Sequence, residues 1–167
     1  MIERKAPFCF ACGSPTEPRL IQGRMRPVCT NCGQVTYFDP KVAVVVLIVR
    51  DERVLLVQRK YDPGMGKWAM PAGFVEHDED PAETAVREVR EETGLIVKVE
   101  RLLEVFPRRD HGVADIVIAY AARVIAGEAQ PMDDAADLGW FTRDALPELV
   151  FYPSQTLIGD RWRRGLL

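Results

Sequence analysis

The stretch GFVEHDEDPAETAVREVREETGL, Gly73 to Leu95, organises the reading of this chain. It begins as a tight loop and becomes a short acidic helix. Asp80 can cap the helix, Pro81 suits its first position, where the missing N–H has no intrahelical partner to lose, and Glu83 fits the capping-box position. Gly94 suits the left-handed residue that closes a helix. At about 100° per residue, Ala82, Ala85, Val86, Val89 and Thr93 fall on one stripe, which predicts a packed face. Glu88, Glu91 and Glu92, spaced i, i+3, i+4, form a second stripe beside it, with Arg87 in reach of Glu91.

Carboxylates crowded on one helix face repel, and near a helix C-terminus the macrodipole adds to the cost. Two readings follow. Either divalent cations occupy the ridge, since carboxylate oxygen is what hard Mg²⁺ or Mn²⁺ prefers, or the ridge is an ordinary solvated face with Arg87 and Arg90 as counter-charges.

The whole stretch fits the pattern G-x5-E-x7-R-E-U-x-E-E-x-G-U, with U a bulky aliphatic residue. The fixed positions are Gly73, Glu79, Arg87, Glu88, Val89, Glu91, Glu92, Gly94 and Leu95. This is the Nudix box, and the chain resembles the Nudix hydrolases, which cleave a diphosphate joining a nucleoside to another group with the help of Mg²⁺. The resemblance implies an α/β/α sandwich around a mixed sheet. It implies that Glu88 and Glu92 bind the catalytic Mg²⁺ or Mn²⁺, with Glu91 direct or through water and the backbone carbonyl of Ala72 as a further ligand. Arg87 would orient the carboxylates, and Glu79 would brace the loop.

The chain has 167 residues, 47% apolar and 28% charged, with net charge −3. That is enough for one full core and a small appendage, and it carries no basic excess of the kind nucleic-acid binding needs. The longest apolar run, Val42–Val49, is a buried strand and far too short to span a bilayer. The start, MIERKAPFC, has no apolar signal core, so the expected location is cytoplasmic, with neither nucleic acid nor membrane as partner.

Residues 1–38 form the appendage. Cys9-Phe-Ala-Cys12-Gly and Cys29-Thr-Asn-Cys32-Gly are paired CxxCG turns and read as a four-cysteine structural zinc site. A reducing compartment disfavours disulfides, and neither pair has the βαβ surroundings of a redox motif. With four ligands spent, this zinc has no open position for catalysis. Residues 39–167 are the hydrolase domain. Val42–Val49 and Val54–Gln58 read as strands around an Asp51-Glu52-Arg53 turn, Val97–Phe106 as extended, Ala114–Val124 and Leu138–Phe141 as strands, and Ser154–Arg164 as a final helix. Residues 61–66 and 107–112 read as a loop and a turn.

Beyond the box the candidates are less specific. Glu76, Glu128, Asp133, Asp134 and Asp137 are candidate general bases, since a glutamate outside the box serves that role in many Nudix enzymes. Arg59, Arg108 and Arg109 are candidate phosphate clamps, because the guanidinium fork matches phosphate oxygens. Phe106, Phe151 and Tyr152 are candidate stacking rings, against core packing. Trp68 reads as core; His77 and His111 read as surface.

A zinc ribbon before a Nudix domain occurs in the NADH pyrophosphatases, whose SQPWPFPxS motif is replaced here by Glu100-Arg-Leu-Leu-Glu-Val-Phe-Pro-Arg108. It also occurs in a group resembling ADP-ribose and FAD pyrophosphatases, with a Tyr-x-x-Pro-Lys entry to the first strand, here Tyr37-Phe-Asp-Pro-Lys41. Lys67-Trp-Ala-Met-Pro-Ala-Gly73 and Phe106-Pro-Arg108 resemble that group too, though a proline about fifteen residues past the box is missing. The expected activity is hydrolysis of ADP-ribose or FAD to AMP, with NADH cleavage as the alternative. A MutT-like hydrolase of damaged nucleotides, or a ligand-sensing regulator built on the same fold, would be the other classes. Analogy with the family implies a homodimer.

Overall fold

The run beginning at Val42 becomes the central strand of the larger of two units in a computed structural model that describes residues 5–107 and 115–167. The chain divides into Met1–Asp39 and Pro40–Leu167.

The first unit holds a two-stranded antiparallel ribbon, β1 (Thr16–Ile21) and β2 (Arg24–Cys29). It joins two turns that bring the cysteines together.

In the second unit, β3 (Val42–Arg50) and β4 (Arg53–Arg59) form the expected hairpin. Asp51 and Glu52 take positive φ at its tip, 51° and 57°, as a two-residue turn between twisted strands requires. Away from the tip the strands splay. The wedge is filled by β5 (Trp68–Ala69) on β4 and β6 (Ala72–Phe74) on β3, two short strands that the sequence pattern does not predict. The acidic helix α1 (Pro81–Thr93) follows, then β7 (Ile96–Pro107), β8 (Ile116–Ala126) and β9 (Ala135–Phe141). Strand β8 runs parallel to β3 and antiparallel to β7, and β9 borders β4. The final helix expected over Ser154–Arg164 is a short turn, α2 (Tyr152–Ser154), that continues as a π-helix over Gln155–Trp162.

The alternation of β3 builds both cores. Val44, Val46 and Ile48 face Ala85 and Val89 of α1 on one side of the sheet. Val45 and Leu47 share the opposite core with Leu157, Ile158 and Trp162 of the C-terminal helix. The result is the expected α/β/α sandwich around a mixed sheet. Trp68 packs as core, edge-on to Phe141 at 4.8 Å. Among the described residues, no helix is long and apolar enough to cross a membrane.

Candidate active site and metal centres

The wedge of β5 and β6 brings the Ala72–Phe74 backbone onto the ridge of α1. Asp80 caps the helix by accepting from Ala82 N at 2.7 Å, and Gly94 closes it at φ 69°. Met70 N, just upstream of that backbone, donates to the buried Ser154 hydroxyl at 3.1 Å, tying this strand to the C-terminal helix. Gly73 then lies so close to Glu88 that an added Cβ would stand 1.9 Å from its carboxyl carbon. Glycine is needed here for the approach of backbone to carboxylate.

Arg87 organises the loop. It grips Glu79 with both forks, at 2.6 and 2.8 Å, and reaches Glu88 at 2.8 Å, Glu91 at 2.9 Å and the Phe74 carbonyl at 3.2 Å. The pairing with Glu91 was legible in the sequence. The stronger one with Glu79 was not, because it spans a loop rather than a helix turn. The Arg87 hydrogen bonds hold Glu79 down to about 2. A carboxylate so depressed adds stability above its ordinary value of about 4.3, and loses it as the pH falls through about 2. Glu79→Gln is therefore expected to lower the melting temperature at neutral pH, the difference from the parent protein vanishing towards pH 2 in a calorimetric pH series. A difference unchanged at pH 2 would contradict the pairing.

Glu92 is only 5% exposed, and its carboxylate accepts from Ala72 N at 3.1 Å. Burial, and then the charge of Asp134, push its pKa well above the usual carboxylate range; burial also raises Glu88. A bound cation would let two carboxylates drawn out of water beside a third stay ionised. The all-oxygen donor set and the glycine cradle suit a hard divalent ion, and Glu88, Glu92 and, at the exposed edge, Glu91 would hold it.

Asp134 is delivered by an acidic loop, residues 127–134 between β8 and β9, which is laced to the end of α1. Gln130 N donates to Thr93 O and Met132 N to Glu92 O, each at 3.0 Å, while the Asp134 carbonyl accepts from Lys60 N at 3.0 Å. Of the five candidate bases, of which Asp137 lies in β9 rather than in a loop, Asp134 is the one whose charge bears on both Glu88 and Glu92. The signal available in sequence was an acidic loop; the position came from backbone pairing.

The other candidates are distributed as follows. Arg59 ends β4, donates Nε to Pro63 O at 2.8 Å and lies over the Phe151 ring at 5.0 Å. Phe106 is 2% exposed and belongs to the core, edge-on to Tyr152 at 5.6 Å. Its ring faces are used in packing, which corrects the expectation that it stacks on a ligand; Tyr152 is the exposed member of the pair. Arg108, Arg109 and His111 lie outside the described residues. His77 is exposed.

In the ribbon, Cys9, Cys12, Cys29 and Cys32 are free thiols whose sulfurs all lie within 4.8 Å of one another. Three of the separations are 3.5, 3.6 and 3.7 Å. A tetrahedron of Zn–S bonds of about 2.3 Å has edges of about 3.8 Å, so the cluster fits zinc. Asn31 N and Cys32 N point at the Cys29 sulfur at 3.4 Å, as amides do around a thiolate. Hydrogen bonds from Ser14 bring Cys12 down to about 6, favouring the thiolate a metal requires.

Comparison with known proteins matches both units. The "NUDIX domain" family covers residues 39–158, and the Nudix N-terminal zinc-ribbon family covers residues 7–38. The chain is 43% identical over 133 residues to a protein of Methanocaldococcus jannaschii named ADP-ribose pyrophosphatase, covering 77% of this chain and 78% of that one. It is 36% identical over 145 residues to a Chromobacterium violaceum protein named NAD-capped RNA hydrolase NudC, covering 85% of this chain but 52% of that one. It thus spans about half the length of the NudC relatives. Among solved structures, a NUDIX hydrolase from Nitrosomonas europaea superposes with a TM-score of 0.83 at 27% identity, covering 96% of this chain and 90% of that chain. With the box folded around a buried glutamate and both units matched, the chain belongs to the Nudix hydrolase family, as a member that carries the family's N-terminal zinc ribbon.

Proposed function

We propose that this chain hydrolyses the pyrophosphate bond of a nucleoside diphosphate linked to another group, with ADP-ribose or FAD as substrate and AMP as product. The observation that carries the reaction class is the buried Glu92 carboxylate, hydrogen-bonded under the Ala72 backbone and flanked by Glu88. For the substrate, support comes from the 43% identity to a protein named for ADP-ribose. NADH is the second reading; the relatives named NAD-capped RNA hydrolase NudC support an NAD-type diphosphate as substrate.

In this reading Glu88 and Glu92, with Glu91 and the Ala72 carbonyl, hold Mg²⁺ or Mn²⁺. Bound there, the ion screens phosphate oxygens and makes water more acidic. Arg87 fixes the spacing of the carboxylates, and Glu79 fixes Arg87. Asp134 orients the attacking water and accepts its proton as the water oxygen bonds to phosphorus and the bridging oxygen leaves with the other phosphate. Arg59 steadies the phosphates. Asp134→Asn is expected to lower kcat about a hundredfold with little change in KM; parental turnover in this variant would remove Asp134 from the mechanism.

The deciding experiment is a panel of ADP-ribose, FAD, NADH and oxidised nucleoside triphosphates with Mg²⁺ or Mn²⁺, read by AMP or pyrophosphate release. Turnover of ADP-ribose or FAD above NADH is expected. No turnover of any member would favour a ligand-sensing role. Free cysteines arranged for a metal suit a reducing compartment, and we place the protein in the cytoplasm. We take it as a homodimer by family analogy, to be checked by light scattering.

A further inference from the structure

Phe151 is a bulky residue at φ 65°, ψ 137°, a conformation that side chains with a Cβ rarely adopt. The chain pins it from both sides. Val150 N donates to Trp68 O at 2.8 Å, Gln155 N donates to Phe151 O at 3.0 Å, and the Gln155 side chain holds Leu149 O at 3.1 Å. A glycine would sit here without strain, so an aromatic ring at this position calls for a reason outside the backbone.

The ring's described partner is the Arg59 guanidinium, 5.0 Å from its centroid. Arg59 donates Nε to Pro63 O, and its terminal nitrogens have no hydrogen-bond or ion-pair partner among the described residues. A guanidinium fixed through its face and its Nε presents two parallel donors at its far edge, the arrangement that pairs with phosphate oxygens. Register places Arg59 at the end of β4 where β9 begins. Across β4 and β9 it stands opposite Ala135, next to Asp134. The helix that Phe151 opens is tied through Ser154 to Met70, two residues before Ala72.

We infer that Phe151 is a positioning residue: its strained backbone holds a ring beneath Arg59, so that Arg59 meets the diphosphate of the substrate already oriented. The inference rests on the proposed reaction. It assigns Phe151 to phosphate binding through Arg59, distinct from stacking on a base.

The test compares Phe151→Gly, Phe151→Tyr and Arg59→Lys with the parent enzyme, using ADP-ribose and Mg²⁺. Phe151→Gly removes the ring and relieves the strain, so its melting temperature should hold or rise. Its KM should rise about tenfold with kcat within about twofold. Phe151→Tyr should restore the parental KM. Arg59→Lys should raise KM similarly, and adding Phe151→Gly to it should change little more. Phe151→Leu, which keeps apolar bulk, repeats the KM test if the glycine variant folds poorly. A parental KM in both the glycine and leucine variants, a loss confined to kcat, or effects of the two sites that simply multiply would overturn the inference. If the parent protein itself cleaves no diphosphate, the functional reading fails and this inference with it; if the parent is active and the variants match its KM, this inference alone fails.

Discussion

Replacing Glu92 by Gln is expected to lower turnover by about three orders of magnitude and yet to make the metal-free protein more stable. The two effects share one cause. Glu92 is nine-tenths removed from water, next to Asp134 and Glu88, with one backbone amide as its hydrogen-bond donor. Its carboxylate therefore costs the folded state free energy whenever it is ionised, and protonation is favoured inside the fold. The sign follows from linkage. Its folded pKa lies above the unfolded value, so the folded state binds the extra proton and gains stability as the pH falls from neutral towards the ordinary carboxylate range. Glutamine removes the charge, keeps an oxygen for Ala72 N and adds a donor for Asp134. On the order of 1–3 kcal/mol, a few degrees in Tm, is expected for the apo protein at pH 7, and the acid-side gain in stability should shrink. Saturating Mn²⁺ should reverse the ranking, because the cation stabilises only the protein that binds it. Calorimetry with and without Mn²⁺, beside a rate measurement, checks both halves. An unchanged turnover, or an apo variant less stable than its parent at pH 7, would contradict the assignment of Glu92.

That a carboxylate should be buried at all was half legible in the sequence. Periodicity gave the ridge and its neighbour stripe, and capping chemistry gave both ends of α1, because those depend on residues within a turn or two of one another. The hairpin of β3 and β4 and the strands β7, β8 and β9 were legible for the same reason. What local pattern does not carry is where a loop is brought by its pairing partners. Strands β5 and β6 are two and three residues long and exist because β3 and β4 splay; nothing in their own composition announces them. The grip of Arg87 on Glu79, the selection of Asp134 from an acidic loop and the burial of Phe106 all depend on contacts far apart in the chain. The Gly73 position was readable as part of a motif, but its physical reason, the carboxylate of Glu88 packed against it, needed the fold.

The ribbon offers the second large effect. Within Met1–Asp39, the buried apolar residues among those described are Cys9, Val28 and Cys29. Two of these three are candidate metal ligands. A unit with so little apolar area withdrawn from water cannot offset the conformational entropy of its own ordering. Zinc held by the four thiolates would supply the remainder, on the order of 10 kcal/mol or more. Chelation of zinc, or Cys29→Ser, is therefore expected to unfold Met1–Asp39, while Pro40–Leu167 keeps its cooperative melt on the strength of two cores of its own. Hydrogen exchange read by mass spectrometry would show protection lost across Thr16–Cys29 and kept across α1 and β3, with zinc content falling from one per chain to none. Protection of the ribbon in metal-free protein would mean that its fold rests on something other than the four sulfurs. Loss of protection in both units together would mean that the catalytic core depends on the ribbon for its stability. The division of the chain into two compact units, with both clusters of buried core residues in the second, argues for loss of protection confined to the ribbon.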